Sequence, residues 1–125
     1  MSAVVVLVTC LAGSVGAVTR FVVDGEIRRR WAGSFPWATL VINVSGSLVL
    51  GIVTGAVLGH GAPSVWKTVL GTGFCGGYTT FSTATVETLR LAQARAGAAA
   101  VAYSAATLLA SVVAAAGGLV LGWRL

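Results

Sequence analysis

Gly71-Thr72-Gly73-Phe74-Cys75-Gly76-Gly77-Tyr78-Thr79-Thr80-Phe81-Ser82-Thr83 lies in the middle of an apolar run that extends from about Val65 to Leu91. Two adjacent glycines, Gly76 and Gly77, followed by Thr79 and Thr80, predict a break in a helix of otherwise membrane-spanning length. A break frees backbone amides and carbonyls, which a membrane tolerates only where they are buried in protein or face a cavity. Unwound segments of this kind commonly hold ions. A kink that serves packing alone is the plainer alternative. The segment is not a phosphate-binding loop, because no Gly-Lys-Ser/Thr ends it.

The rest of the chain reads as membrane protein. Of 125 residues, 57% are hydrophobic and 9% charged, and the mean hydropathy is +0.95. Soluble domains carry about 25% charged residues, so a soluble protein of this composition would expose apolar surface and precipitate. The net charge of +5 does not point to nucleic acid, because the eight basic residues sit at the ends of apolar runs rather than in a stripe. Cys10, Cys75 and His60 make no metal-ligand spacing, and both cysteines are expected to be small buried residues. No Lys or Arg precedes Arg20, so the first apolar run lacks the basic start of a signal peptide and reads as a retained helix.

A helix that crosses the bilayer core needs about 20 apolar residues. The first candidate runs from about Ala3 to Phe21 and ends at the polar stretch Asp24 to Arg30. Pro36 opens the second, Trp37 to Leu58, and Gly59 to Pro63 forms a turn. The third is the interrupted run from Val65 to Leu91, and the fourth extends from Ala96 to Leu121. Trp123 and Arg124 suit the membrane interface. The expectation is one all-α domain over residues 1–125, with four transmembrane helices and the third one broken. Small residues recur every fourth position at Ser47, Gly51, Gly55 and Gly59, and again at Ala98, Ala102, Ala106, Ala110, Ala114 and Gly118. Such stripes let helix backbones approach closely.

Polar side chains inside a bilayer are costly and tend to mark a pathway or a partner. Asn43 lies within the second helix, Tyr103, Thr107 and Ser111 share a face of the fourth, and Thr79, Thr80, Ser82 and Thr83 follow the glycine pair. Ser and Thr can bond back to their own helix's carbonyls, so hydroxyls alone decide little. An amide cannot satisfy itself in hydrocarbon, and Asn43 therefore weighs more. Neutral donors on three segments suggest a narrow polar track that suits an anion which must leave as easily as it enters.

Three elements in the right order resemble the Fluc, or CrcB, family of fluoride channels. They are Gly13-x-x-Gly16-Ala17-x-x-Arg20-Phe21, Pro36-Trp37-Ala38-Thr39-Leu40-Val41-x-Asn43-x-x-Gly46-Ser47, and Gly73-Phe74-Cys75-Gly76-Gly77-Tyr78-Thr79-Thr80-Phe81-Ser82-Thr83 with Glu87 beyond. The resemblance implies an antiparallel dimer of four-helix subunits in the cell membrane, with two fluoride pores at the interface. It implies a structural sodium ion at the dimer centre, held by the backbone carbonyls of Gly76 and Thr79. Asn43 would contact the permeating anion, Arg20 would lie near a pore entrance, and Phe81 would offer its positive ring edge. Thr83, Tyr103, Thr107 and Ser111 look like the family's hydroxyl track. Such a pore is no enzyme: it lets trapped fluoride leave down the membrane potential, about 2.3 kcal/mol per charge at 100 mV, and so confers fluoride resistance.

This chain departs from the family pattern at Ala84, where a second phenylalanine is expected. Its charges are also lopsided. Arg20, Arg28, Arg29, Arg30, Arg90 and Arg95 fall on one side of the membrane and Lys67 and Arg124 on the other, which places both termini outside. A chain of fixed orientation suits a heterodimer with an oppositely oriented paralogue, as in some family members, and in that setting it could also act as a non-conducting scaffold. A small multidrug transporter needs a membrane-embedded carboxylate, and the only candidate, Glu87, sits near a helix end, where Arg90 at i+3 offers it a partner.

Overall fold

The computed structural model describes residues 1–125 and is helical throughout its ordered elements. Helix α1 (Ala3–Arg30) starts at Ser2, whose hydroxyl accepts from the Val5 amide at 3.2 Å. It does not stop where the apolar run ends at Phe21. Arg28 pairs with Asp24 at 2.9 Å and Arg30 with Glu26 at 2.8 Å, both at i,i+4, and these pairs carry the helix through the polar stretch. Helix α2 (Trp37–His60) follows Pro36 and closes on Gly61, whose left-handed φ of 64° lets its amide return to the Ala56 carbonyl.

The third apolar run is composite. A short turn, α3 (Ser64–Trp66), leads into a π-helical stretch, Lys67–Cys75, and then α4 (Gly76–Tyr78). The chain leaves helical geometry at Thr79, where ψ is 163°, and resumes as α5 (Ser82–Gln93). Helix α6 (Gly97–Arg124) completes the chain. Three helices, α1, α2 and α6, are long and apolar enough to cross a membrane. Neither piece of the broken run alone matches a hydrocarbon core of about 30 Å.

The helices pack as two parallel pairs. Along α2 and α6, Gly51 lies against the Ala115 carbonyl, Gly55 against the Leu119 carbonyl, Gly118 against the Leu48 carbonyl and Gly122 against the Ile52 carbonyl. A Cβ at any of the four would overlap backbone atoms of the opposite helix. The alanine stripe on α6 forms this seam only at its C-terminal end, for Ala98 and Ala102 are exposed. A strict four-residue repeat drifts by about 40° per step on a helix of 3.6 residues per turn, so it cannot hold one face for long. Helix α1 pairs with the π-helical stretch and α4 in the same manner: Gly16 lies against the Phe74 carbonyl and Gly77 against that of Gly13.

Only α1's inner face is covered, and this corrects the expectation for Cys10. Cys75 is buried, but Cys10 is exposed beside Leu7 and Leu11 on the outer face of α1. Large apolar side chains are exposed over most of the molecule, including Val18, Leu108 and Val113. Lipid is their solvent. At one end of the molecule Arg28 reaches Glu87 across helices, and at the other Gly59 touches Trp123. Arg28, Arg29 and Arg30 therefore sit at one end of the bundle and Arg124 at the other, whereas Arg20 lies between them, level with Thr79.

Candidate functional site

The break is held by side chains from both neighbouring helices. Asn43 of α2 donates from Nδ2 to the Thr80 carbonyl at 2.8 Å and accepts the Thr80 amide on Oδ1 at 2.9 Å. It thus replaces a stretch of backbone ladder with one buried amide. In a continuous helix the Thr80 N–H would bond the Gly76 carbonyl; here that carbonyl is released. Thr80 Oγ1 accepts the Thr83 amide at 3.1 Å and so caps the start of α5. Arg20 of α1 donates from Nη1 to the Thr79 carbonyl at 3.3 Å.

These contacts place a groove of about 510 Å³ along the break, between α2 and α6. Asn43, Ser47 and Leu50 line it from α2; Thr72, Cys75 and Gly76 from the third run; Thr79, Thr80, Phe81 and Ala84 from the break and α5; Tyr103, Thr107 and Ser111 from α6. No charged side chain lines it. The Phe81 ring is 85% exposed.

The α6 wall is chemically distinct. Nine serine or threonine hydroxyls elsewhere in the chain bond back to a carbonyl three or four residues earlier, the bland use of a hydroxyl in a membrane helix. Tyr103 Oη, Thr107 Oγ1 and Ser111 Oγ do not: all three oxygens are buried and none makes a hydrogen bond of good geometry, although Thr39 and Thr107 are the nearest hydroxyls to that of Tyr103. At 1.5 Å rise per residue they form a row about 12 Å long. Buried hydroxyls without partners are costly unless something passes or binds beside them. Asn43 adds to the row, since Nδ2 carries two hydrogens and Thr80 takes only one.

The groove gathers Asn43, Phe81, Tyr103, Thr107 and Ser111, together with Gly76 and Thr79. It does not include Thr83 or Arg20. Thr83 is two residues from Thr85, a groove residue, which on a helix turns it to the opposite side. Arg20 stands beside the break rather than at the mouth of the groove, because α1 packs on the third run and brings its guanidinium level with Thr79.

Glu87 corrects another expectation. Its partner is not Arg90 on its own helix. It faces inward, 8% exposed, accepts a hydrogen bond from the Thr39 hydroxyl, and pairs with Arg28 at 3.3 Å. Thr39 was legible only as the residue one turn before Asn43 on the same face of α2.

With this geometry in hand, the comparisons with known proteins agree on one family. The model described as CrcB-like protein, Camphor Resistance (CrcB), matches residues 7–119. A relative in Leifsonia xyli subsp. xyli, named fluoride-specific ion channel FluC 1, is 58% identical over 95 residues, covering 76% of this chain and 69% of the relative. Fluoride-specific ion channel FluC 2 of Cutibacterium acnes is 50% identical over 116 residues, covering 92% of this chain and 94% of the relative. Fluoride-specific ion channel FluC 1 of Streptomyces avermitilis is 47% identical over 105 residues, covering 83% and 82%. Matches of this extent, on a helical bundle whose broken third run borders an uncharged groove, place the chain in the CrcB-like family.

Proposed function

We propose that this chain is a subunit of a fluoride-selective channel of the cell membrane, which lets cytoplasmic fluoride leave passively. The observation that carries the reading is the row of three buried, unpartnered hydroxyls on α6, continued by the spare N–H of Asn43. A small hard anion gives up its water only where hydrogen-bond donors replace it, and uncharged donors release it again. Phe81, exposed on the side of the groove formed by the break, would offer the positive partial charge of its ring edge to the same anion. No catalytic group is needed for this task.

The groove is open along one side of the subunit, and in this reading a second subunit closes it. The bundle acts as four spans, with the broken run as the third, in an antiparallel dimer whose pores lie at the interface. The fixed charge bias favours a paralogue of opposite orientation as the mate, and the relatives' names include both FluC 1 and FluC 2. The break also suits a structural sodium ion. The Gly76 carbonyl is outside the helical ladder, and nothing lies within 4 Å of where a Cβ would stand on Gly76. Gly76 and Thr79 would hold the ion through their carbonyl oxygens, and its charge would tie the broken helices together across the dimer.

A fluoride electrode recording efflux from proteoliposomes tests the function, with the chain alone and with a co-expressed paralogue. Efflux that needs the second chain, and that excludes chloride, is the expected outcome; equal chloride flux, or none of either ion with any mate, would sink it. The hydroxyl row makes a sharper forecast. Tyr103→Phe, Thr107→Val and Ser111→Ala combined are expected to slow efflux at least about tenfold without lowering the thermal midpoint, since removing unsatisfied polar groups costs the fold little. A second reading is favoured by Ala84, which lines the groove where the family pattern has a ring. If this subunit mainly scaffolds one conducting pore, Ala84→Phe should raise efflux of the heterodimer about twofold, as a second pore opens.

A further inference from the structure

Arg20 and the proposed sodium ion claim the same oxygen. The Thr79 carbonyl accepts from Arg20 Nη1 at 3.3 Å, while the Thr79 hydroxyl is turned back to donate to the Cys75 carbonyl at 2.8 Å. We infer that Arg20 sets how tightly the break holds sodium, by placing a fixed positive charge on one of the two carbonyls that would ligate it. This rests on the sodium site proposed above.

The chain has three acidic residues, and each is engaged elsewhere. Asp24 holds Arg28, Glu26 holds Arg29 and Arg30, and Glu87 holds Arg28 and the Thr39 hydroxyl. Arg20 therefore has a carbonyl dipole as its partner and no carboxylate to neutralise it. A guanidinium keeps its charge at every physiological pH. Half-buried against α1 and the break, it is poorly screened, and a second cation on the same oxygen feels its repulsion directly. The break thus carries a built-in cation whether or not a metal ion is present. Gly76, whose carbonyl has no such competitor, is left as this subunit's stronger ligand. Arg20 is a positioning residue here: it lines no part of the groove.

Sodium itself is the probe. The purified channel, with its paralogue where the dimer requires one, is titrated with sodium chloride against choline chloride at constant ionic strength. Binding is followed by equilibrium dialysis of radioactive sodium and by the thermal midpoint. Arg20→Gln keeps a donor for the Thr79 carbonyl and removes the charge, and it is expected to bind sodium at least about tenfold more tightly than the unaltered channel. Arg20→Lys, which keeps the charge, should behave like the unaltered channel. Equal affinity in the unaltered and Gln forms would overturn the inference while leaving the sodium site standing. Absence of saturable sodium binding in every form would remove the site itself, and the inference with it. Should the Gln variant not fold, Arg20→His at about pH 8 and about pH 5.5, on either side of the usual imidazole pKa of about 6.5, gives the same comparison in one preparation. Sodium should bind more tightly at the higher pH; no difference would overturn the assignment.

Discussion

Asn43→Leu is expected to abolish fluoride efflux and to destabilise the fold by about 2–6 kcal/mol, the cost of two buried backbone groups left unsatisfied at roughly 1–3 kcal/mol each. Leucine has the same branched skeleton as asparagine and is somewhat larger, so no cavity confuses the result. What it removes is the pair of hydrogen bonds, at 2.8 and 2.9 Å, that stand in for the ladder at Thr80. No water is at hand in the bilayer to replace them. Asn43→Asp separates the two roles of the side chain. The carboxylate still accepts the Thr80 amide, but it cannot donate to the Thr80 carbonyl and it adds a negative charge to a groove that has none. Its fold loss should be about half that of leucine, with efflux equally lost. Thermal unfolding in detergent beside electrode traces measures both, and a leucine variant with an unchanged midpoint would show that Asn43 does not splint the break.

Gly51→Leu is expected to leave no folded protein to purify. A Cβ at Gly51 already overlaps the Ala115 carbonyl, and its other neighbours are backbone atoms of α6, which cannot swing aside as a side chain can. Overpacking costs about 1–3 kcal/mol in yielding cores and more where backbones must part. The seam is also continuous, since Gly118 sits against Gly51 itself. Gly117→Ala is the control: nothing lies within 4 Å of a Cβ there, and alanine in a helix is favoured by about 1 kcal/mol over glycine. A monodisperse Gly51→Leu protein on size-exclusion chromatography would contradict the parallel seam between α2 and α6.

Much of this was readable from residue order, and the reasons differ by residue. The break showed because paired glycines and threonines interrupt a long apolar run, although it falls just after Tyr78 rather than at the glycines themselves. Tyr103, Thr107 and Ser111 showed because a four-residue period keeps side chains on one face over two turns. Asn43 showed because an amide in hydrocarbon demands a partner. Its partner, the backbone of Thr80, did not, since backbone acceptors have no signature in side-chain sequence. Glu87 was misread for a related reason. Arg90 is a ready local partner, whereas its true contacts, Thr39 and Arg28, lie 48 and 59 residues away and meet only once α1, α2 and α5 have packed. The reach of α1 to Arg30 was missed because hydropathy measures the oily part of a helix, not the ion-paired turns that prolong it.

The π-helical stretch Lys67–Cys75 carries a constraint on chain length as well as on composition. Wider turns take up more residues than an α-helix needs for the same advance. A residue lost there without a compensating tightening of the turns would swivel everything downstream by about 100°. Thr79 and Thr80 would then turn away from Asn43 and Arg20 even though every contact-making side chain was still encoded. The stretch is therefore intolerant of a change in length, and at Gly73 of a change in residue as well, since a Cβ there would meet the Thr9 carbonyl oxygen at 2.8 Å.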